Sequence, residues 1–503
     1  MSTAAADAPS STFCAPEARR FVLIAAILAS AMGFIDGAVL SIAVPAIRSS
    51  TGASFSDAQW ISNAYLLMLS SLLLLGGAAG DRFGIKRVFS IGIIVFVVAS
   101  LATALAPTPL LLIIARAIQG AGAALMVPGS LSIIAAAYPR ETRGRAIGIW
   151  AAASSLTTIV GPILGGLVIT WLGDWSWRLI FAINLPLGGV ALALLWLKVP
   201  EETNTEGRRL DPLGAILVTL GLFALAFGLT GDGGSDGAPP VSHMIVYCGA
   251  GVVLLGAFLV WESRARSPMM PLGLFRSRSF SGANALTFAL YFALNGALFY
   301  LPMTMIAGWG VSPAVVAIAL TPLGIILTLV SSWAGKLSDS YGPGPLITFG
   351  AALVAVAFAG MALAAPSHSV WFAVLPLMSL MGLGMSFVVS PLSTAVMTSL
   401  ADSDTGIASG VNNAVARVAG LLAVAIGGGV AAFVFERALG GAADQAVFFG
   451  LVPEAPLDAA TETARVNATD AAFAAVAWVM AALAAISAVI AWLTLDKRMP
   501  KRG

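Results

Sequence analysis

Residues 77–87 read Gly77-Ala-Ala-Gly-Asp81-Arg82-Phe-Gly84-Ile-Lys86-Arg87, a short charged stretch between the apolar runs 57–80 and 87–106. Each run is long enough to cross a bilayer, which takes about 20 mostly apolar residues. Three basic residues in this stretch put the turn on the side where Lys and Arg collect. The same skeleton, Gly-x-x-x-Asp-x-x-Gly, returns at Gly335, Asp339 and Gly342, each residue displaced by 258 positions. Beyond the first copy, the run 109–137 carries Gly120, Gly122 and Pro128; beyond the second, 369–397 carries Gly382, Gly384 and Pro391. Two matches in the same order point to a duplicated unit of six helices. Two such halves imply a shared site at their interface near the bilayer midplane, reached from each side in turn.

The rest of the chain agrees. Of 503 residues, 59% are hydrophobic and 10% charged, with a mean hydropathy of +0.94. A soluble chain carries about 25% charged residues, so this composition excludes a soluble globular protein, a disordered chain and a nucleic-acid binder. Fourteen apolar runs are expected to span: 21–44, 57–80, 87–106, 109–137, 144–172, 178–198, 212–231, 243–262, 280–306, 313–334, 346–365, 369–397, 409–434 and 471–495. Each must be helical, because unpaired backbone groups are too costly in hydrocarbon. The expected fold is an all-α polytopic membrane protein with two six-helix bundles and two inserted helices. Its parts are a tail 1–20, a bundle 21–199, an insertion 200–279, a bundle 280–495 and a tail 496–503.

Basic residues orient the spans. With the N-terminus cytoplasmic, 20 of the 26 Lys and Arg fall in inner segments and four in outer ones, Arg48, Arg178, Arg437 and Arg465. The inner set includes Arg19, Arg20, Arg140, Arg143, Arg145, Arg208, Arg209, Lys336, Lys497, Arg498, Lys501 and Arg502. Both termini are therefore expected in the cytoplasm, with the chain in the plasma (inner) membrane. Cys14 and Cys248 suggest no disulfide framework. Neither they nor His243 and His368 form a cluster with metal-ligand spacing. No cofactor, no metal and no enzymatic nucleophile–base pair is expected. There is no phosphate-cradling Gly-x-x-x-x-Gly-Lys-Ser/Thr loop, so ATP is not the expected driver.

Residues 77–87 resemble the loop signature of the major facilitator superfamily. Leu112-Ile-Ile-Ala-Arg116-Ala-Ile-Gln119-Gly120-Ala-Gly122-Ala-Ala124 resembles its second motif. Gly148 followed by Gly161-Pro162-Ile-Leu-Gly165-Gly166 resembles the motif associated with antiporters. Asp36-Gly-Ala-Val-Leu-Ser-Ile-Ala-Val-Pro45 and Trp175-Ser-Trp-Arg-Leu-Ile-Phe-Ala-Ile-Asn-Leu185-Pro186-Leu-Gly188 look like the fourteen-helix drug:proton antiporters. The resemblance implies alternating access and proton-coupled efflux of drugs, antibiotics or similar organic compounds. The rival expectation is uptake of a metabolite by a proton-coupled or passive transporter.

Within that frame certain residues stand out. Asp36 is the acid placed deepest in a span, and burying it ionised costs about 2.5–3.5 kcal/mol or more. Arg116 lies at similar depth, about 8–10 Å from the same face. An Asp36–Arg116 pair balances desolvation against Coulomb attraction, so small movements can load or release a proton. Asp81 gains nothing from the positive-inside rule and reads as part of a latch with Gly77, Arg82, Gly84, Lys86 and Arg87. Gly161, Pro162, Gly165 and Gly166 suit a bend and a close helix approach that seals against leak. Asn284, Phe288, Tyr291, Asn295 and Phe299 share a helical face that suits a pocket for a planar or cationic organic solute, and with Asn412, Asn413 and Arg417 they are the expected substrate cavity. Trp60 reads as an interfacial anchor. The expected partners are a small organic substrate, protons and lipid, with no nucleic acid and a monomeric chain.

Overall fold

The computed structural model describes residues 14–201, 210–233, 239–399, 405–440, 449–453 and 456–495. Most of the two tails and the basic residues Arg208, Arg209, Lys497, Arg498, Lys501 and Arg502 lie outside the described residues. Among those described, fourteen helices are long and apolar enough to span: α1 (Pro16–Thr51), α2 (Phe55–Phe83), α3 (Ile85–Leu105), α4 (Pro109–Ala137), α5 (Glu141–Leu172), α6 (Asp174–Lys198), α7 (Pro212–Thr230), α8 (Val241–Arg264), α9 (Arg278–Gly308), α10 (Pro313–Tyr341), α11 (Pro343–Ser367), α12 (Val370–Met397), α13 (Gly406–Leu439) and α14 (Ala459–Thr494). Their starts follow local chemistry. Ser54 and Asp57 form a reciprocal capping box on α2, and the Asp211 carboxylate accepts from Gly214 N at the start of α7.

Helices α1–α6 pack on one another, as do α9–α14, while α7 and α8 form a hairpin against α2 and α13. The bundles meet through α2 with α13 and α5 with α10. Helices α2 and α10 carry the two copies of the Gly-x-x-x-Asp-x-x-Gly motif, so α5 and α13 are counterparts too. The repeat therefore exchanges one seam for the other. Both copies also turn alike: Gly84 has φ 94° and Gly342 φ 80°, a region open to glycine at no steric cost.

Large apolar side chains such as Leu105, Leu197, Val253, Leu329 and Phe372 face outward. On a soluble surface these would be an aggregation liability; here they meet lipid. Helix α8 is the most peripheral, burying Gly251, Phe258 and Glu262. Two sequence expectations are corrected. The last helix starts at Ala459 rather than 471, drawing Asp470 into α14, where His368 Nε2 (2.7 Å) and Trp309 Nε1 (2.8 Å) hold its carboxylate. Trp60 is no interfacial anchor. The inserted hairpin covers it, so its indole packs on Phe223 and Phe227 and donates to Gly231 O at 2.9 Å.

Candidate functional site

A cavity of about 1130 Å³ lies between the two bundles. Asp81, Ser267, Met397 and Gly406 line it, so it reaches the end of the bundle that carries Arg82, Lys86 and Arg87. The opposite end is closed by contacts between the halves. Gln59 Nε2 donates to Val424 O at 2.7 Å and to the Tyr300 hydroxyl at 3.2 Å, and the Tyr300 hydroxyl itself donates to Val424 O. Arg48 Nη1 donates to Phe449 O at 2.8 Å. Ala314 N donates to Thr170 Oγ1 at 3.0 Å, tying α10 to α5.

Beside the cavity wall, α1 and α4 bring Asp36 and Arg116 together. Arg116 Nη1 donates to Asp36 Oδ2 at 2.6 Å and to Gln119 Oε1 at 2.7 Å. Gln119 Nε2 returns to Asp36 Oδ1 at 3.0 Å and to Ser100 Oγ at 2.9 Å. Arg116 Nε donates to Ile61 O at 3.0 Å, and its guanidinium sits 4.3 Å from the Tyr65 ring centroid. Asn184 Nδ2 reaches Ser100 at 3.1 Å. Five helices, α1, α2, α3, α4 and α6, thus converge on one carboxylate. Asp36 and Arg116 are each 1% exposed. Charges so deep survive only when paired and hydrogen-bonded, as these are. Arg116 lines the cavity, whereas Asp36 sits behind it. Asp36 therefore balances, from the bundle core, the charge of a cation that lines the cavity.

The expected gating residues divide. Gly77 and Asp81 line the open mouth. Lys86 is turned away and pinned, its Nζ donating to Val199 O (2.7 Å) and pairing with Glu201 (3.0 Å). Arg82 and Arg87 are exposed, and Arg82 lies 5.6 Å from the Phe83 ring centroid. Of the antiporter-motif residues, Gly166 lies at the closed seam. Pro162 faces the cavity, and Gly161 and Gly165 pack on Ile35 and Val39 of α1. A Cβ on Gly166 would stand 2.6 Å from the Pro313 carbonyl oxygen of α10. That backbone cannot yield without parting the bundles. Gly166→Val is therefore expected to disfavour the closed seam by about 1–3 kcal/mol, roughly a five- to 150-fold shift. Cross-linking between cysteines placed at 170 and 314 measures it; unchanged yield would remove Gly166 from the seal.

Of the expected cavity residues, Asn295, Phe299, Asn413 and Arg417 line the space. Asn284, Phe288, Tyr291 and Asn412 do not. Asn412 Nδ2 donates to Asn284 Oδ1 (3.2 Å) and Thr287 Oγ1 (2.8 Å), bridging α13 to α9. Because those helices pack on each other, one sequence face splits between bundle interior and cavity. Sequence reasoning missed Gln59, Tyr300 and Arg48 at the seal and the role of Gln119. Gln119 had one usable signal, its place three residues beyond Arg116 on the same helical face. Also missed was a carboxyl pair at the open mouth. Asp211 accepts from Trp261 Nε1 at 2.9 Å, and the neighbouring Glu262, 3% exposed, accepts from Met270 N at 2.9 Å.

Residues 26–424 match the family model described as Major Facilitator Superfamily. The puromycin resistance protein pur8 of Streptomyces alboniger is 32% identical over 96% of this chain and 93% of its own length. The methylenomycin A resistance protein of Bacillus subtilis is 32% identical over 81% of this chain and 86% of its own. Among solved structures, a bacterial homologue of the human lysosomal transporter Spinster, inward-facing and occupied, superimposes with a TM-score of 0.67 at 17% identity. It covers 97% of this chain and all of that one. At that identity the likeness speaks to fold alone.

Proposed function

The chain belongs to the major facilitator superfamily, and from that premise we propose that it is a proton-driven exporter of drugs, antibiotics or similar organic compounds. The curated relatives carry names of antibiotic resistance proteins, which supports export over metabolite uptake. The observation that carries the mechanism is the buried Asp36–Arg116 pair set against the wall of a one-sided cavity.

The basic end is taken as cytoplasmic, the membrane as the plasma membrane, and the cavity as the inward-open site. The units that rock are 21–199 and 280–495. An ion-paired Asp36 suits the form that has already released its proton inward, and this is the drug-loading form. Drug enters from the cytoplasm, the bundles rock, and the seam at Gln59, Tyr300 and Gly166 parts. Outside, drug leaves and Asp36 takes a proton, which removes its attraction for Arg116. The protonated carrier returns inward, and reforming the pair expels the proton. Each proton supplies about 2.3 kcal/mol per 100 mV, besides any pH gradient. The relevant measurement is efflux of a fluorescent substrate from energised cells, with a protonophore added midway. Efflux is expected to stop at once; efflux that continues would defeat the coupling.

A further inference from the structure

The charged side chains that line the cavity, among the described residues, are Asp81, Arg116, Asp211 and Arg417. Arg116 is neutralised by Asp36. Asp211 is engaged by Gly214 N and Trp261 Nε1 at the mouth. Asp81 is exposed at the same mouth, in the last turns of α2. Arg417 differs from all three. It is half-buried on α13 and, among the described residues, has no ion pair or hydrogen bond.

The other buried arginines show what such a group ordinarily requires. Arg48 donates to Phe449 O and Ala53 O, and Arg465 pairs with Glu462 and donates to Ala307 O. A guanidinium held at membrane depth without a partner is costly, and such groups mark ligand paths. Arg417 lies close enough to Tyr65 and Tyr291 for its charge to act on both hydroxyls. Tyr65 is sixteen residues from Asp81 on α2, about 24 Å along the helix, so Asp81 is remote from the part of the cavity where Arg417 acts on Tyr65. The cavity that Arg417 lines also offers neutral polar groups, Asn413, Asn295 and Tyr65, and apolar walls such as Phe34 and Phe299.

We infer that Arg417 receives the negative charge of the transported compound, so that the cavity selects organic acids with an apolar, aromatic body over amines. A carboxylate or phenolate would accept from the planar guanidinium fork in the geometry that arginine presents best. Its ring system would rest on the apolar walls, with the amides completing the polar contacts. This inference rests on the cavity being the export site. It adds a consequence: moving an anion out while a proton moves in transfers two charges per cycle, against one for a neutral compound. Export of an acid should therefore respond more steeply to an inside-negative potential.

The test uses the purified full chain and three fluorescent probes sharing one ring: anthracene-9-carboxylate, its amide, and 9-(aminomethyl)anthracene. Binding is followed by quenching of tryptophan fluorescence. The carboxylate is expected to bind at least about tenfold tighter than the amide, and the amine weakest. Arg417→Gln should erase the carboxylate's advantage over the amide, and a single cooperative thermal transition of the purified variant shows that it is folded. Arg417→Lys, which keeps the charge but not the fork, should retain part of that advantage. The inference is overturned if the amine or amide binds as well as the carboxylate, or if none of the three binds. It is equally overturned if Arg417→Gln leaves the preference intact. None of these outcomes touches the protonophore result, on which the export reading stands or falls separately.

Discussion

Asp36→Asn is expected to abolish concentrative efflux while leaving the protein folded in the membrane. The amide has nearly the same shape, and its oxygen can still accept from Arg116 or Gln119, whose donors sit 2.6 and 3.0 Å from the native carboxylate. What it cannot do is change charge. One proton falling through 100 mV is worth about 2.3 kcal/mol, enough to sustain a gradient of roughly 50-fold. Without a titrating group that gradient should collapse to unity, while passive exchange of substrate across the membrane persists. The measurement is substrate accumulation in proteoliposomes under an imposed pH gradient and potential, with counterflow as the control for intact exchange. Concentrative transport by Asp36→Asn would take Asp36 out of the mechanism.

The second large effect concerns stability. Arg116→Met should destabilise the folded protein by about 3–5 kcal/mol, because it leaves the Asp36 charge buried without its counterion. Asp36 and Arg116 are both 1% exposed, so water cannot substitute for the lost partner. Adding Asp36→Asn to Arg116→Met should recover a substantial share of that loss, since the double variant buries no net charge. Thermal unfolding of the detergent-solubilised single and double variants makes the comparison. Losses that merely add would mean the two side chains are not energetically coupled, and the proposed proton exchange at Asp36 would have no physical basis.

Much of this is legible in the sequence itself. Asp36 and Arg116 announced themselves because a charge in an apolar run is expensive and has few innocent explanations. The duplicated Gly-x-x-x-Asp-x-x-Gly motif foretold two halves, and the turns at Gly84 and Gly342 share one backbone conformation. Other residues stayed silent for a different reason. Gln119, Ser100 and Asn184 are uncharged polar groups of a kind found throughout the chain, and nothing local says which of them face a carboxylate. Trp60 was misread because an aromatic near a helix end meets lipid headgroups unless another helix covers it, and the α7–α8 hairpin does. The face of α9 that carries Asn284, Tyr291 and Asn295 looked uniform; contact with α13 divided it.

Hydrophobic run length, positive charge and the cost of an unpaired backbone in lipid act locally, so the sequence alone determined fourteen helices, their doubling and their most expensive charges. Which helix faces cavity, neighbour or bilayer depends on contacts between residues hundreds of positions apart. The seal joining Gln59 to Val424, the approach of Gly166 to Pro313 and the isolation of Arg417 therefore belong to the tertiary structure. Helix association in lipid is driven by close packing and hydrogen bonds rather than by apolar content, and those become defined only when the partner helix is in place.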